Sequence, residues 1–329
     1  MKNLLDIKGI KKHFPVRGTK DVVTAVNDIS FNIREGETFG LIGESGSGKS
    51  SVGRCILNLI SPTSGEMRYK GMEYSKFGKK EAAVIRTEMQ MVFQDPYYSL
   101  NPRKTVWETV EDTLRVNKNL AATDRKKMTV DALAKVQFFE NDYEKYPHQL
   151  SAGQQQRVGI ARAIAPKPKF IVLDEPTSSL DLSVRAEIID LLVKLQKDSG
   201  ITYLFISHDL STIQFLCHRV AVMYLGRIVE YGDVNEVFHN HRHPYSKALL
   251  ASVMKPDPKI PRSDYRLSGE IPSPINLPKG CHLASRCPEV EAKCREIDPP
   301  FIDVGNGHFV NCHHAAPLEK ERIPVTQKN

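Results

Sequence analysis

No run of apolar residues in this 329-residue chain approaches the roughly 18–20 that a membrane-spanning helix needs. The N-terminal stretch MKNLLDIKGIKKHF is broken by charges every few residues, so it lacks the apolar segment of a secretory signal. A cytosolic chain is therefore expected. Closely spaced cysteine pairs are also missing: none of the six cysteines is separated from the next by only two to four residues, the usual zinc-site spacing. Neither an internal repeat nor a heptad run is evident, which argues against solenoids and long coiled coils.

What remains is an ordinary globular composition, 40% hydrophobic and 26% charged. The length predicts one large domain plus an extension, or two domains. The net charge of +7 suits a nucleic acid, an anionic membrane surface, a phosphate-rich ligand, or simply a solvated basic face. Composition alone names no function.

The most informative stretch is TFGLIGESGSGKSS. A short strand-type run, Thr38 to Ile42, leads through a glycine-rich turn into the amphipathic segment SVGRCILNLI. Gly43, four residues, then Gly48-Lys49-Ser50 is the P-loop spacing in its strand–loop–helix context. Glycines allow backbone N–H groups to turn inward around a phosphate, and a helix N-terminus adds favourable charge. Lys49 can then reach the β and γ oxygens, and the Ser50 hydroxyl can ligate Mg2+.

A second apolar run, in KFIVLDEPTSSLD, ends on Asp174 and Glu175. Ligand sites in parallel sheets lie at the carboxyl ends of strands, so Asp174 is expected on the Mg2+ side and Glu175 as the base that polarises water. A third run, TYLFISHD, points His208 toward the same place as a candidate donor to the γ-phosphate. In HQLSAGQQQRVGIARAI, Ser151 and Gln154 have capping-box spacing before a helix.

Residues up to about 37 alternate apolar and polar, as in an antiparallel sheet. Residues from about 97 to 160 read as a helical region, and RHPYSKALLASV reads as a final helix. The proline-rich stretch from Lys255 to Pro278 reads as a linker or extended arm.

Taken in order, with Gln94 in MVFQDP and Leu150-Ser151-Ala152-Gly153-Gln154, these motifs resemble those of ATP-binding-cassette (ABC) ATPases. The resemblance implies an α/β fold: a P-loop NTPase with a RecA-like core, an antiparallel β subdomain and a helical signature subdomain, over residues 1–254. It implies Phe14 stacking on adenine, and Gly43, Glu44, Ser45, Gly46, Ser47, Gly48, Lys49, Ser50 and Ser51 cradling the phosphates of ATP. Gln94 resembles the lid glutamine that senses Mg2+, Asp181 belongs to the loop that crosses to a second cassette, and His208 resembles the switch histidine. Ser151, Gly153 and Gln154 would serve the ATP held by the opposed cassette of a head-to-tail dimer. The family's signature has glycine where this chain has Ala152. A negative φ there would cost little, whereas a positive φ would strain the alanine.

Further stretches, VFQDPYYSLNPRKTV, YPHQLS, HPYSKALL and LSGEIPSP, resemble the ATPase subunits of bacterial dipeptide and oligopeptide importers, in particular the F-type member of the dipeptide system. Similar importers of nickel, glutathione or oligosaccharides form the alternative for the cargo. The resemblance implies a paralogous cassette as partner, two permease subunits, an extracytoplasmic binding protein, and a place on the cytoplasmic face of the membrane. A soluble ABC ATPase acting on nucleic acid or ribosomes is the competing class. With one P-loop and one signature, nucleic acid is not expected as a partner.

Residues 255–329 hold four cysteines, Cys281, Cys287, Cys294 and Cys312, within a segment too short to build its own core. A cytosolic setting argues against disulfides. Spacing alone leaves zinc, with help from His282, His313 or His314, level with an iron–sulfur cluster, and leaves a tail without metal as a third alternative. The peptide-importer resemblance implies a [4Fe–4S] cluster on the four cysteines.

Overall fold

The computed structural model describes residues 2–117, 120–252 and 265–316, without the side chain of Lys80. Two long strands, β1 (Asn3–Pro15) and β2 (Val22–Arg34), pair antiparallel. The next, β3 (Thr38–Ile42), enters a second sheet, while β4 (Ser64–Tyr69) and β5 (Met72–Glu73) return to the first. That first sheet has four strands in the order β2-β1-β4-β5.

The second sheet continues with β6 (Met89–Val92), β7 (Phe170–Asp174), β8 (Thr202–Ile206), β9 (Arg219–Tyr224) and β10 (Arg227–Asp233). Two short C-terminal strands, β11 (Phe301–Asp303) and β12 (Phe309–Asn311), complete it. The eight strands run in the order β11-β12-β10-β9-β3-β8-β7-β6. Pairing is parallel from β9 through β3, β8 and β7 to β6 and antiparallel beyond β9.

The inner parallel strands β3, β7 and β8 are short and buried along their whole length because both faces are covered. Successive residues then serve different cores. Ile171, Leu173, Tyr203 and Phe205 pack toward the helices, whereas Phe170, Val172, Leu204 and Ile206 pack toward the antiparallel sheet with Leu5, Ile29 and Met67. This alternation makes the parallel sheet the middle layer.

Helix α1 (Lys49–Ile56) follows β3 directly, and α2 (Lys79–Glu88) precedes β6. A one-turn α3 (Pro96–Ser99) leads to α4 (Val106–Arg115), α5 (Ala122–Lys135) and α6 (Ala152–Ile164), the expected helical region. Thr105 and Glu108 form a reciprocal capping box at the start of α4. Val110, Leu133 and Val158 bring the three helices together. The rest of the chain adds α7 (Leu182–Ser199), α8 (Leu210–Leu216), α9 (Val234–His239), α10 (Pro244–Ala251) and α11 (Ala292–Glu296).

Part of the proline-rich arm, residues 255–264, lies outside the described residues. The following segment returns to the edge strand β2, where the Thr24 N–H donates to the Pro274 carbonyl at 3.0 Å and Val23 bridges Ile275. The C-terminal hairpin is more tightly joined to the body than an appendage would be. Its strand β12 pairs with β10 through Glu230 and Val310, and through Tyr231 and Phe309. Beneath that seam Glu230 is fully buried, accepting from the Arg242 and His243 N–H groups at 2.7 and 3.1 Å and pairing with His308 Nε2 at 2.7 Å.

Candidate functional site

The glycine-rich turn between β3 and α1 has the backbone that the sequence demands. Gly43 and Gly48 have φ of 148° and 103°, and an added Cβ would meet the Met223 carbonyl at 2.2 Å or the Ala25 carbonyl at 2.0 Å. No side chain fits at either position. The turn therefore lies directly on β9 and β2. The Gly226 N–H donates to the Ser47 carbonyl at 3.0 Å, tying the turn to the β9–β10 loop as well. Ser45 and Gly46 are exposed at its tip, and Ser51 lies in the first turn of α1.

Lys49 curls back into this turn, donating to the Gly43 and Glu44 carbonyls at 2.8 and 2.9 Å. Burial lowers its pKa, while the negative charges of Glu175, Asp174 and Glu44 oppose that shift. Its partners in the turn are neutral carbonyls, which it could exchange for an anion. Next to it, the Ser50 hydroxyl donates to Asp174 at 2.8 Å. Burial raises the pKa of Asp174, and that hydrogen bond opposes the rise.

Glu175 sits one residue beyond Asp174 with φ of 47°, a left-handed conformation that is costly outside glycine and is here secured by its N–H donating to the Ile206 carbonyl at 2.9 Å. Its carboxylate gathers two groups from elsewhere in the chain. The Gln94 amide donates to Oε2 at 3.1 Å, and His208 Nδ1 lies 3.2 Å from the same oxygen. The expected water-polarising base, Glu175, is thus bonded by both the candidate lid glutamine and the candidate switch histidine, just past the ends of neighbouring strands β7, β6 and β8.

The signature residues form a separate feature. Ser151 caps α6, with its hydroxyl accepting from the Gln154 N–H at 3.3 Å and its own N–H donating to the Gln154 side chain at 3.0 Å. Ala152 is the first helical residue and is not among the positive-φ positions, so the alanine is unstrained. Gly153 is needed for space: a Cβ there would meet Val184 of α7 at 2.5 Å. Asp181 caps α7 by accepting from the Val184 N–H at 2.9 Å. Phe14, partly exposed near the end of β1, pairs with Val23 of β2, the strand that abuts the phosphate loop at Ala25.

Both family models that match describe this architecture. One, for ABC transporters, matches residues 26–178. The other, for the C-terminal region of oligopeptide/dipeptide transporters, matches residues 229–294. The oligopeptide transport ATP-binding protein AppF of Bacillus subtilis is 41% identical over 318 residues, covering 94% of this chain and 97% of that protein. The chain belongs to the ABC transporter family of ATP-binding proteins.

Within that family it is also similar to the dipeptide transport ATP-binding protein DppF of Escherichia coli, with 41% identity over 94% of this chain and 93% of the relative. Among solved structures, the ABC component cbiO1 of Clostridium perfringens aligns with a TM-score of 0.64 and 30% identity, covering 73% of this chain and 93% of that one. The cassette MJ0796, solved as a post-hydrolysis dimer bound to ADP and Pi, aligns with a TM-score of 0.62 and 30% identity, over 70% and 98% of the two chains. This member of the ABC family is an ATPase with the family's layered P-loop fold.

The iron–sulfur expectation does not survive. Among the described residues no group of three or more His, Cys, Asp or Glu side chains is arranged to hold a metal ion. Cys281, Cys287, Cys294 and Cys312 border one cavity, but it measures only about 10 Å3, roughly the room of a single water molecule. Burial raises the pKa of Cys281 to about 11 and pushes those of Cys287 and Cys312 upward. Cys281 and Cys287 pack against the main core, and Cys312 packs with Val304 and Val310. A four-iron cluster does not fit a cavity of that size, and among the described residues no side-chain group supports the zinc alternative either.

Sequence reading missed the support beneath the phosphate loop. The Glu44 N–H donates to the Tyr245 hydroxyl at 2.8 Å, and the Tyr245 ring packs on Tyr224 at 4.6 Å. Arg286, from the cysteine-rich segment, reaches both Tyr224 and Glu44. No local pattern announces these contacts, since the partners are up to 242 residues apart.

Proposed function

We propose that this chain powers a peptide importer by hydrolysing ATP as one half of a cassette pair. The observation that carries the reading is the meeting of Gln94, Glu175 and His208 beside the Lys49 and Ser50–Asp174 cluster. The glycine-rich loop after β3 and the carboxylate after β7 flank β8 at the carboxyl end of the parallel sheet, which supports reading them as a phosphate cradle and a water-orienting base. The peptide cargo is inferred from the printed functions of the relatives and from the C-terminal region shared with oligopeptide/dipeptide transporters.

In this reading Phe14 stacks on adenine, and residues Gly43 to Ser51 surround the phosphates with backbone N–H groups. Lys49 releases the loop carbonyls for the β and γ oxygens. Glu175, oriented by Gln94 and His208, accepts a proton from the attacking water. Ser50, Asp174 and Gln94 offer oxygens suited to Mg2+, which would neutralise phosphate charge when bound. His208 donates to the γ-phosphate. Ser151, Gly153 and Gln154 act across the dimer on the partner's ATP, with Asp181 in the crossing loop.

We further propose a paralogous second cassette, two permease subunits and an extracytoplasmic binding protein as partners, with this chain on the cytoplasmic face. Residues 1–254 are read as the cassette and 255–329 as a proline-rich arm and cysteine-rich C-terminal extension. Support for permease docking comes from a groove of about 500 Å3 between the core and the helical region, bordered by Gln90, Ser99, Lys104, Asp112, Leu120 and Met128. The exposed Tyr97 and Tyr98 precede Ser99 in α3. Among the described residues no helix is long and apolar enough to cross a membrane.

The test is reconstitution of the full complex in vesicles with peptides inside and outside defined. Wild type should couple ATP hydrolysis to peptide uptake. Glu175→Gln should bind ATP yet lose about 10²- to 10⁴-fold in turnover, the usual contribution of a general base. Hydrolysis that survives the substitution, or uptake of nickel or sugars instead of peptides, would overturn the corresponding part of the reading.

A further inference from the structure

Arg286 brings the cysteine-rich segment into contact with the candidate nucleotide site. This side chain is nearly buried, with Nη1 3.4 Å from Glu44 Oε2 and 3.3 Å from the Tyr224 hydroxyl. Its guanidinium also lies 5.9 Å from the centroid of the Tyr224 ring. The loop that presents it is closed by local bonds, with the Arg286 and Cys287 N–H groups both donating to the Leu283 carbonyl at 2.8 and 2.9 Å.

Glu44 is the second residue of the phosphate loop and the only acid within Gly43 to Ser51. Its carbonyl accepts from Lys49, the residue that must move toward a phosphate. A carboxylate in that position opposes the approach of the ATP polyanion unless its charge is balanced. Arg286 is the cation that balances it, and the rigid guanidinium bonds Tyr224 at the same time.

We propose that Arg286 is a positioning residue for nucleotide binding: by neutralising Glu44 it lets the C-terminal segment set the affinity of the phosphate loop for ATP. The inference rests on the reading of that loop as the ATP site. Loosening of the segment around residues 281–287 would then weaken nucleotide binding without any change in the loop's own sequence. The chemistry is electrostatic, so the effect should shrink at high salt because Glu44 is partly exposed.

The experiment measures MgATP affinity of the full chain, by displacement of a fluorescent ATP analogue, for R286M, R286Q, E44Q and the double variant R286M/E44Q. Loss of the arginine charge should weaken binding about three- to fivefold, the range of a partly exposed ion pair. In the assembled complex the change should fall on KM for ATP rather than on kcat. In the E44Q background, R286M should have little effect, because no carboxylate is left to balance. Thermal unfolding of each variant identifies any loss of fold, and R286Q carries the test should R286M fail to fold.

A merely structural arginine would weaken binding equally with and without Glu44, and that result would overturn the proposal. So would wild-type affinity in both R286M and R286Q. Failure of the wild-type chain to bind ATP at all would instead refute the assignment of the loop.

Discussion

Replacing Glu230 with alanine should loosen the C-terminal hairpin from the main sheet. The carboxylate is fully buried and accepts from the Arg242 and His243 N–H groups and from His308, all within 3.1 Å. Burial alone would raise its pKa, but the His308 bond and the Arg242 N–H hold it below the ordinary range, so it is a charged group in the interior. Removing it orphans two backbone donors and a ring nitrogen. At about 1–3 kcal/mol for each unsatisfied donor, partly relieved by relaxation and water, the loss should total about 3–5 kcal/mol. That is a large share of the 5–15 kcal/mol typical of a domain. Hydrogen exchange is the sharper assay, because unfolding of so large a chain need not be two-state. The amides of β12, paired to β10 at Glu230 and Tyr231, should lose protection, while those of β3, β7 and β8 should keep it. A double variant with His308→Ala should be less damaged than the sum of the two single ones. Unchanged β12 exchange in Glu230→Ala would refute the idea that this buried carboxylate fastens the hairpin.

Gly48→Ala should abolish nucleotide binding, read by equilibrium titration, since its Cβ would meet the Ala25 carbonyl at 2.0 Å in a backbone with positive φ. Ser151→Ala should cost about 1 kcal/mol through the lost cap of α6, seen as a lower urea midpoint. It should also slow ATP turnover in the assembled complex more than stability explains. Acid should destabilise the fold through two buried histidines, whose pKa values fall from 6.5 to about 4. For His243 burial is the main cause, opposed by Glu230 and Glu289 and aided by Lys247; for His282 burial is joined by the charge of Arg227 and opposed by Asp298 and the Leu225 carbonyl. The unfolded state takes up protons first, so this stability is complete above about pH 6.5 and is lost as the pH falls toward 4. Each residue should account for about 1.4 kcal/mol of the loss at pH 5.5, measurable as a steeper decline than in His282→Asn.

The motifs read as nucleotide machinery were legible in residue order alone. The P-loop, the acids ending β7, the histidine after β8 and the capping box of α6 are contiguous patterns whose chemistry depends on neighbours along the chain. Strand burial was legible for the same reason, since TFGLI, FIVLD and TYLFI contain little that could face water. The unstrained Ala152 was not legible, because its φ is set by where α6 begins.

The tail was decided only by tertiary structure. Four cysteines in 32 residues suggested a metal staple, but residue type carries no information about the space the thiols enclose, and that space is about one water in size. What fastens the segment instead is long-range: β12 added to β10, the buried Glu230–His308 pair, and Arg286 beneath Glu44. Such contacts join residues up to 242 positions apart, so they form only when the whole sheet has assembled and brought its remote partners within bonding distance.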